Sequence, residues 1–341
     1  MKNLIFDLCN AGGVSGSETE IAKVCVKRLN KFADVTVDKS GNVIAVLGNV
    51  NAQKTILLDA HMDRIGLIVT QINDNGFVKV DACGGIDIRT LADTAVITSG
   101  FEMLIGVVCC NPPHLSDGNE DKAVSIDKVW IDFGIPFEEV NSKIKIGDTL
   151  TFMTFPKELK NNRISSAALD NRCGIAALIR CAELLSNKEN LDYKVVILLS
   201  TQEETFGTGA KTGAYSITPD EAIVVDVSFA SQPDVSGRYA GVELSKGPMI
   251  GISPILNRNM TDKIIEVAEK EEIPFQYEPM SASTGTNADH IAVTKSGVKT
   301  ALVSIPQRNM HTQNEIIAID DVENTAKLIV GYIISGGVCN G

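Results

Sequence analysis

Histidine and aromatic residues are scarce in this 341-residue sequence, and basic residues are fewer than acidic ones. Each of these features argues against a class of function. There are four histidines and one tryptophan, and aromatic residues make up only 5% of the chain, which leaves little material for a sugar-stacking surface. The 43 acidic residues outnumber the 31 basic ones, and the net charge of −12 argues against nucleic acid or an anionic membrane as a partner. The longest apolar runs have the length of a strand and not that of a membrane span.

The cysteines and the N-terminus favour a reducing compartment. None of the eight cysteines shows a Cys-x-x-Cys spacing and most lie in apolar runs, so we predict reduced core residues and no disulfide framework. The first nine residues are too short and too soon acidic for a signal peptide. A cytoplasmic location is therefore expected.

Strand and helix patterns alternate at the two ends of the chain but not in its middle. Apolar strands are predicted at 55–58, 194–200, 221–227 and 298–305, and amphipathic helices at 171–185, 261–272 and 320–334. Between about 65 and 155 the pattern changes to short alternating strands separated by glycine and proline, which is typical of a small barrel. We predict an α/β fold in which residues 1–64 and 164–341 form a mostly parallel, helix-covered sheet, and residues 65–163 form an inserted, small β-barrel-like domain.

Residues of metal-ligand type stand at the carboxyl ends of the predicted strands. They are His61, Glu203, Glu204, Asp226 and His311. Because the carboxyl ends of strands in an open α/β sheet meet at one edge, we expect these side chains to share a site with Asp170, which precedes the helix at 171–185. Imidazole together with carboxylate suits zinc or a similar divalent ion, and more than three carboxylates indicate two ions. The sequence therefore predicts a two-metal hydrolase.

Each of these residues also has a purely structural interpretation. His61 could be a buried, hydrogen-bonded imidazole, and Asp170 could be a helix N-cap. Glu203 and Glu204 could be a solvated strand end, whereas Asp226 between two valines needs a cation or strong hydrogen bonds. A shared metal site explains all of these positions together.

The local patterns also suggest different roles within that site. Asp170 at the mouth of a helix could bridge two ions, and Asp63 could orient the imidazole of His61. Adjacent strand residues point to opposite sides, so one of Glu203 and Glu204 is expected to hold a metal while the other acts as general base.

The assembled motifs resemble the glutamyl aminopeptidase family of dinuclear metallopeptidases, which includes the tetrahedral aminopeptidases and members labelled endoglucanase or cellulase M. The resemblance covers essentially the whole chain. Its motifs, in chain order, are Ala60-His-Met-Asp63, Gly84-Gly85-Ile-Asp, Ala168-Leu-Asp-Asn-Arg172, Gln202-Glu-Glu204, Asp226-Val and Arg308-Asn-Met-His311.

The resemblance implies an aminopeptidase that removes N-terminal residues from short peptides with two divalent ions per chain, zinc first, with cobalt or manganese as alternatives. The implied ligands are His61, Asp170, Asp226, Glu204 and His311, with Asp170 bridging and the last two completing the shell of the second ion. Glu203 would be the general base that activates the bridging water, and Asp63 would orient His61. The family fold implies that the inserted domain mediates dimerisation, and that dimers assemble into a homo-oligomer of twelve subunits.

One motif departs from the family pattern, and two other functions compete with the peptidase. Family members usually carry Gly-Gly-Thr-Asp where this chain has Thr284-Gly-Thr-Asn287, so a negative charge is lost there, which Asp289 could replace. A metal-independent glycoside hydrolase would need only two carboxylates and would leave His61 and His311 without a role. A catalytically silent homologue would keep the fold and bind metal without turnover.

Overall fold

The computed structural model describes residues 1–338 except 100–102, 111–112, 116–122, 189–190, 192, 234, 236 and 240. The helices are α1 (Lys2–Cys9), α2 (Thr19–Leu29), α3 (Phe137–Lys143), α4 (Leu169–Ser186), α5 (Thr208–Ile217), α6 (Arg258–Lys270), α7 (Ala288–Ile291) and α8 (Ile319–Ile334). The strands are β1 (Asp34–Val37), β2 (Val43–Gly48), β3 (Lys54–His61), β4 (Gly66–Ile72), β5 (Val78–Cys83), β6 (Ala95–Thr98), β7 (Ile105–Val108), β8 (Trp130–Asp132), β9 (Thr149–Phe152), β10 (Lys157–Leu159), β11 (Arg163–Ser166), β12 (Tyr193–Ser200), β13 (Glu221–Phe229), β14 (Met249–Ile252), β15 (Gln276–Pro279), β16 (Lys299–Gln307) and β17 (Glu315–Ala318).

An eight-stranded sheet forms the centre of the molecule, in the order β1-β2-β12-β3-β13-β16-β14-β15. The four central strands, β12, β3, β13 and β16, run parallel, and antiparallel pairs flank them on both sides. Helices α4 and α8 pack on one face, and α5 and α7 pack on the other. Strands covered on both faces are apolar along their whole length, which explains the continuous runs in the sequence. The α/β prediction is confirmed.

A closed six-stranded barrel is inserted in the sequence between β3 and the later strands of the central sheet. Its strand order is β4-β5-β8-β7-β6-β9, its described pairs are antiparallel, and it has its own apolar core, with Leu67, Val80 and Ile131 almost completely buried. The short helix α3 begins after Pro136, where the sequence favours a helix. The barrel is therefore present as predicted, and the domain bounds 1–64, 65–163 and 164–341 stay a prediction.

Two smaller expectations can be compared with the structure. The described cysteines form no disulfides, but Cys109 and Cys110 are exposed at the end of β7, so the prediction that the cysteines are core residues is wrong for this pair; Cys339 lies outside the described residues. Within the described part of the chain, no helix is both long enough and apolar enough to cross a membrane.

Candidate metal centre

The carboxyl edge of the parallel strands collects the side chains that the sequence singles out. His61 is the last residue of β3 and stands opposite Ser200, the last residue of β12. Asp226 lies in β13, which pairs with β3 through Val224 and Asp59. This register places Asp226 beside His61, because both side chains stand two residues beyond a paired position and point to the same face.

Five of these side chains form two groups that meet at one carboxylate, that of Asp170. In the first group, His61 Nε2 is 3.1 Å from Asp170 Oδ1 and 3.7 Å from Asp226 Oδ1. In the second group, His311 Nε2 is 3.4 Å from both Asp170 Oδ2 and Glu204 Oε2. The donor atoms within each group all lie within 4.8 Å of one another. Asp170 therefore offers one oxygen to each group.

Asp170 is not the N-cap of its helix. Ala168 occupies that position in α4, and Asp170 and Asn171 depart from helical dihedral angles, so the carboxylate of Asp170 is directed at the two histidines. The structural interpretation of Asp170 as a helix cap is wrong.

Backbone carbonyls fix the tautomer of both imidazoles. His61 Nδ1 lies 3.1 Å from the carbonyl oxygen of Asp63, and His311 Nδ1 lies 2.9 Å from that of Gly85. A carbonyl oxygen only accepts, so Nδ1 carries a hydrogen in both rings, and Nε2 is the nitrogen that would bind a metal when the ring is neutral. Each Nε2 faces the carboxylates of its own group, which is the arrangement of a ligating histidine.

Glu203 and Glu204 lie in a turn after β12 and not in a strand, so the alternation argument for their roles does not apply. The two oxygens of Asp63 accept hydrogen bonds from the backbone N–H groups of Glu203 (2.9 Å) and Glu204 (3.0 Å). Asp63 Oδ1 also lies 3.4 Å from His61 Nδ1. Glu203 Oε2 is 3.8 Å from His61 Nε2, beside the first group, whereas Glu204 belongs to the second. The turn therefore places Glu203 beside the first group and Glu204 in the second group.

The cluster concentrates negative charge in a buried place. Burial, reinforced by Asp226 and Asp170, raises the pKa of Glu203 to about 8 against the pull of His61. Burial and the neighbouring Asp170 raise the pKa of Glu204 well above its usual range. Burial alone would lower the pKa of His61, but its hydrogen bonds to Asp170 and Asp226 raise it well above the ordinary value. A cation between these buried carboxyl groups would favour their ionised forms.

The donor set fits divalent ions of the zinc type. Zinc bonds to histidine and carboxylate ligands are about 2.0–2.2 Å long, so tetrahedral ligand atoms stand about 3.4 Å apart. The shortest distances between histidine and carboxylate ligand atoms in the two groups are 3.1 and 3.4 Å. Two imidazoles and three carboxylates make up the two groups, and these donor types suit zinc and related divalent ions.

Glu315 is a site residue that the sequence reasoning missed. It begins β17 and is 1% exposed, and its carboxylate accepts hydrogen bonds from the backbone N–H groups of Asp170 and His311, both at 3.1 Å. Burial, reinforced by the Asp170 carboxylate, raises the pKa of Glu315 to about 8, although Arg64 opposes this shift. The signal in the sequence is a glutamate next to two isoleucines, four residues after His311.

The departure at Asn287 has a local explanation. Asn287 is buried, and its Nδ2 donates to Asp59 Oδ2 and to Ser200 Oγ, both at 2.9 Å. An aspartate at this position would face the buried carboxylate of Asp59. Asp289 accepts from the backbone N–H groups of Thr284 and Gly285, so it closes its own turn and does not occupy the place of Asn287. The acidic member of this pair is Asp59 on β3, two residues before His61, and burial raises its pKa to about 7.

Comparisons with known proteins identify the family of this chain. The profile of the M42 glutamyl aminopeptidase family matches residues 41–328. The chain is 36% identical to a lysyl aminopeptidase of Pyrococcus furiosus over 333 residues, which cover 95% of this chain and 94% of that protein. Its fold superimposes on a TET aminopeptidase from a marine sediment thaumarchaeon with a TM-score of 0.93 (28% identity, 99% of this chain and 96% of that one).

A second solved structure has a similar fold and extends the comparison to assembly. The TET1 peptidase of Pyrococcus horikoshii, which can assemble into a tetrahedron or a large octahedral shell, superimposes with a TM-score of 0.86 at 30% identity over 98% of this chain and 99% of that one. Family profile, sequence and fold thus lead to one assignment. The chain belongs to the M42 glutamyl aminopeptidase family of peptidases.

Proposed function

We propose that this chain is a metal-dependent aminopeptidase that hydrolyses N-terminal residues from short peptides with two divalent ions. The observation that carries the proposal is the pair of donor groups that share Asp170. His61, Asp170 and Asp226 would hold one ion, and Asp170, Glu204 and His311 the other. Zinc is the first expectation because imidazole and carboxylate suit it, with cobalt and manganese as alternatives.

Bound in these two places, the ions would polarise the scissile carbonyl and lower the pKa of a water molecule. Glu203 would carry out the proton transfer, because its carboxylate lies beside the first group but is not one of the three donors of that group. Glu203 would take a proton from the attacking water and pass it to the nitrogen of the leaving amine. Asp63 would keep Glu203 in place through its hydrogen bond to the backbone N–H and would orient His61.

The proposal extends to assembly and location. The fold similarity to a tetrahedral peptidase supports a homo-oligomer, and the barrel at 65–163 is the part that we expect to mediate dimerisation. A dodecamer built from these dimers and a cytoplasmic location are the expected state. Short peptides are the expected substrates, and nucleic acid and membranes are not expected partners, as the net charge of −12 indicates.

Two substitutions test the assigned roles. Glu203→Gln should keep two ions per chain and lower kcat by about 10²-fold or more, because a carboxamide takes no proton. Asp170→Ala should lose metal and activity together, because both groups lose a ligand. Glu138→Gln, at an exposed position in α3, is the matched control and should resemble the wild type. Metal by mass spectrometry and hydrolysis of aminoacyl-p-nitroanilides give the two readouts.

The same assays separate the competing functions. Peptidase turnover retained by Glu203→Gln would remove that residue as the base. Glycan cleavage that survives a chelator would favour the glycoside hydrolase. Two bound ions without hydrolysis of any peptide would identify a silent homologue. The departure at Asn287 does not by itself favour that outcome, because Asn287 contacts Asp59 and is not one of the donor residues.

A further inference from the structure

The two histidines of the metal centre are held by different parts of the molecule. His61 ends β3, and the carbonyl that accepts from its Nδ1 belongs to Asp63, two residues later in the same segment. The carbonyl that accepts from His311 Nδ1 belongs to Gly85, which follows the barrel strand β5. The first group is therefore held by the central sheet and helix α4, whereas His311 in the second group also contacts the barrel.

The turn at Gly84 and Gly85 fits closely against the second group. A Cβ added to Gly85 would lie 2.9 Å from His311 Nδ1, and one added to Gly84 would lie 3.3 Å from Glu204 Oε2. Gly84 also has a φ of +87°, a conformation that favours glycine. Ordinary contacts between heavy atoms of side chains begin at about 3.5 Å, so a methyl group at Gly85 would displace the imidazole.

A second contact ties the His311 loop to the barrel. Gln313 Nε2 donates to the carbonyl oxygen of Thr90 (2.9 Å) and lies 2.7 Å from Thr94 Oγ1, just before β6. From the other side, Glu315 accepts from the backbone N–H of His311. The loop that carries this ligand is thus fixed between β17 and the barrel. Its backbone alone does not orient the ring, because only the Gly85 carbonyl contacts Nδ1 in the contacts described.

We propose that the Gly84–Gly85 turn of the barrel is a positioning element for His311, and that the second cation site is complete only with this turn in place. Gly85 acts through its carbonyl, which selects the tautomer of His311, and through its missing side chain, which leaves room for the ring. The inference rests on the proposed two-metal function. The barrel would thus support metal binding by orienting His311, in addition to its expected role in dimerisation.

The test compares metal binding by full-length Gly85→Ala with that by the wild type and a control. Gly241→Ala is the matched control, because a Cβ at Gly241 meets no atom within 4 Å and its φ is ordinary. Ions bound per chain are counted by mass spectrometry after equilibration in zinc buffered by a chelator. We expect two ions in wild type and control and one in Gly85→Ala, with the second dissociation constant raised about 10- to 100-fold, as for other partners of metal ligands.

A second comparison asks whether the effect passes through His311. In a His311→Ala background the space at Nδ1 is empty, so Gly85→Ala should cause no further loss of metal. A further loss there would overturn the positioning role, as would two tightly bound ions in Gly85→Ala alone. If the wild type itself binds fewer than two ions, the proposed function fails and not only this inference.

Folding of the barrel is monitored independently of metal. Trp130 is the only tryptophan of the chain and lies in β8, so its fluorescence reports on the barrel. Emission unchanged in Gly85→Ala, together with loss of one ion, supports the proposal. If the emission shifts, the His311→Ala background decides, because a disturbed barrel would weaken metal binding there as well, which would overturn the proposal. Unchanged metal binding in that background supports it.

Discussion

Replacing Asn287 with aspartate should destabilise the protein, and a second substitution should restore it. In Asn287→Asp the amide that donates to Asp59 becomes a carboxylate at about the same 2.9 Å distance, between side chains that are 0% and 1% exposed. The hydrogen bond is lost, and above pH 7, where Asp59 with its raised pKa of about 7 is ionised, a second buried carboxyl group faces a buried carboxylate. Leaving a buried charge without its partner costs about 3–5 kcal/mol.

A loss of about 3–5 kcal/mol in the free energy of unfolding would lower the melting temperature measurably. Unfolding entropy of about 2.1 cal/mol/K per residue gives about 0.7 kcal/mol/K for 341 residues, so Tm should fall by about 4–7 °C. The exchanged pair, Asp59→Asn with Asn287→Asp, again sets one amide against one carboxylate and should recover most of that loss. The double-mutant cycle should therefore show a coupling of about 3 kcal/mol.

The assay is thermal unfolding of the four proteins at one protein concentration and one zinc concentration, because ligand and assembly both shift Tm. Additive effects of the two substitutions, within about 0.5 kcal/mol, would refute the account of this pair. So would an Asn287→Asp protein as stable as the wild type.

Two further predictions concern the charge of the centre and its supporting glutamate. Metal-free protein should melt lower than metal-loaded protein, and the difference should widen as pH rises. Glu203 and Glu315 have folded pKa values of about 8 against an ordinary 4.5, so the folded metal-free state binds more protons than the unfolded chain between those values and loses stability as pH rises through that window. Glu315→Gln should weaken zinc binding about 10- to 100-fold, because a carboxamide cannot accept from both Asp170 and His311. Calorimetry and zinc titration measure these effects.

If the Tm of the metal-free protein rises between pH 5 and 8, the pKa values of Glu203 and Glu315 are not raised as described. Zinc binding by Glu315→Gln equal to that of the exposed control Glu138→Gln would show that the hydrogen bonds of Glu315 do not support the ligands.

Much of the fold could be predicted because the patterns are local. The fully apolar runs that lead to His61 and His311 predict buried parallel strands, and the glycine-punctuated alternation after residue 65 predicts the barrel. The same runs bring the site residues to one edge, because parallel strands align their carboxyl ends.

The remainder depends on contacts between distant segments. The contact of Gly85 with His311 joins residues 226 positions apart, and that of Glu315 with Asp170 joins residues 145 positions apart. No periodicity reveals such pairs. The prediction of a strand at Glu203 was wrong for a related reason, since the backbone N–H groups of Glu203 and Glu204 donate to the distant Asp63 carboxylate in a turn.

The most direct test of the two-metal account is a titration of metal-free protein with zinc, cobalt or manganese while hydrolysis of aminoacyl-p-nitroanilides is followed. The account predicts that the rate rises with bound metal and reaches its plateau at two ions per chain, and the panel then also identifies the preferred N-terminal residue and the working metal. Full peptidase activity in the metal-free protein, or a plateau at one ion with Glu204 and His311 dispensable, would contradict it.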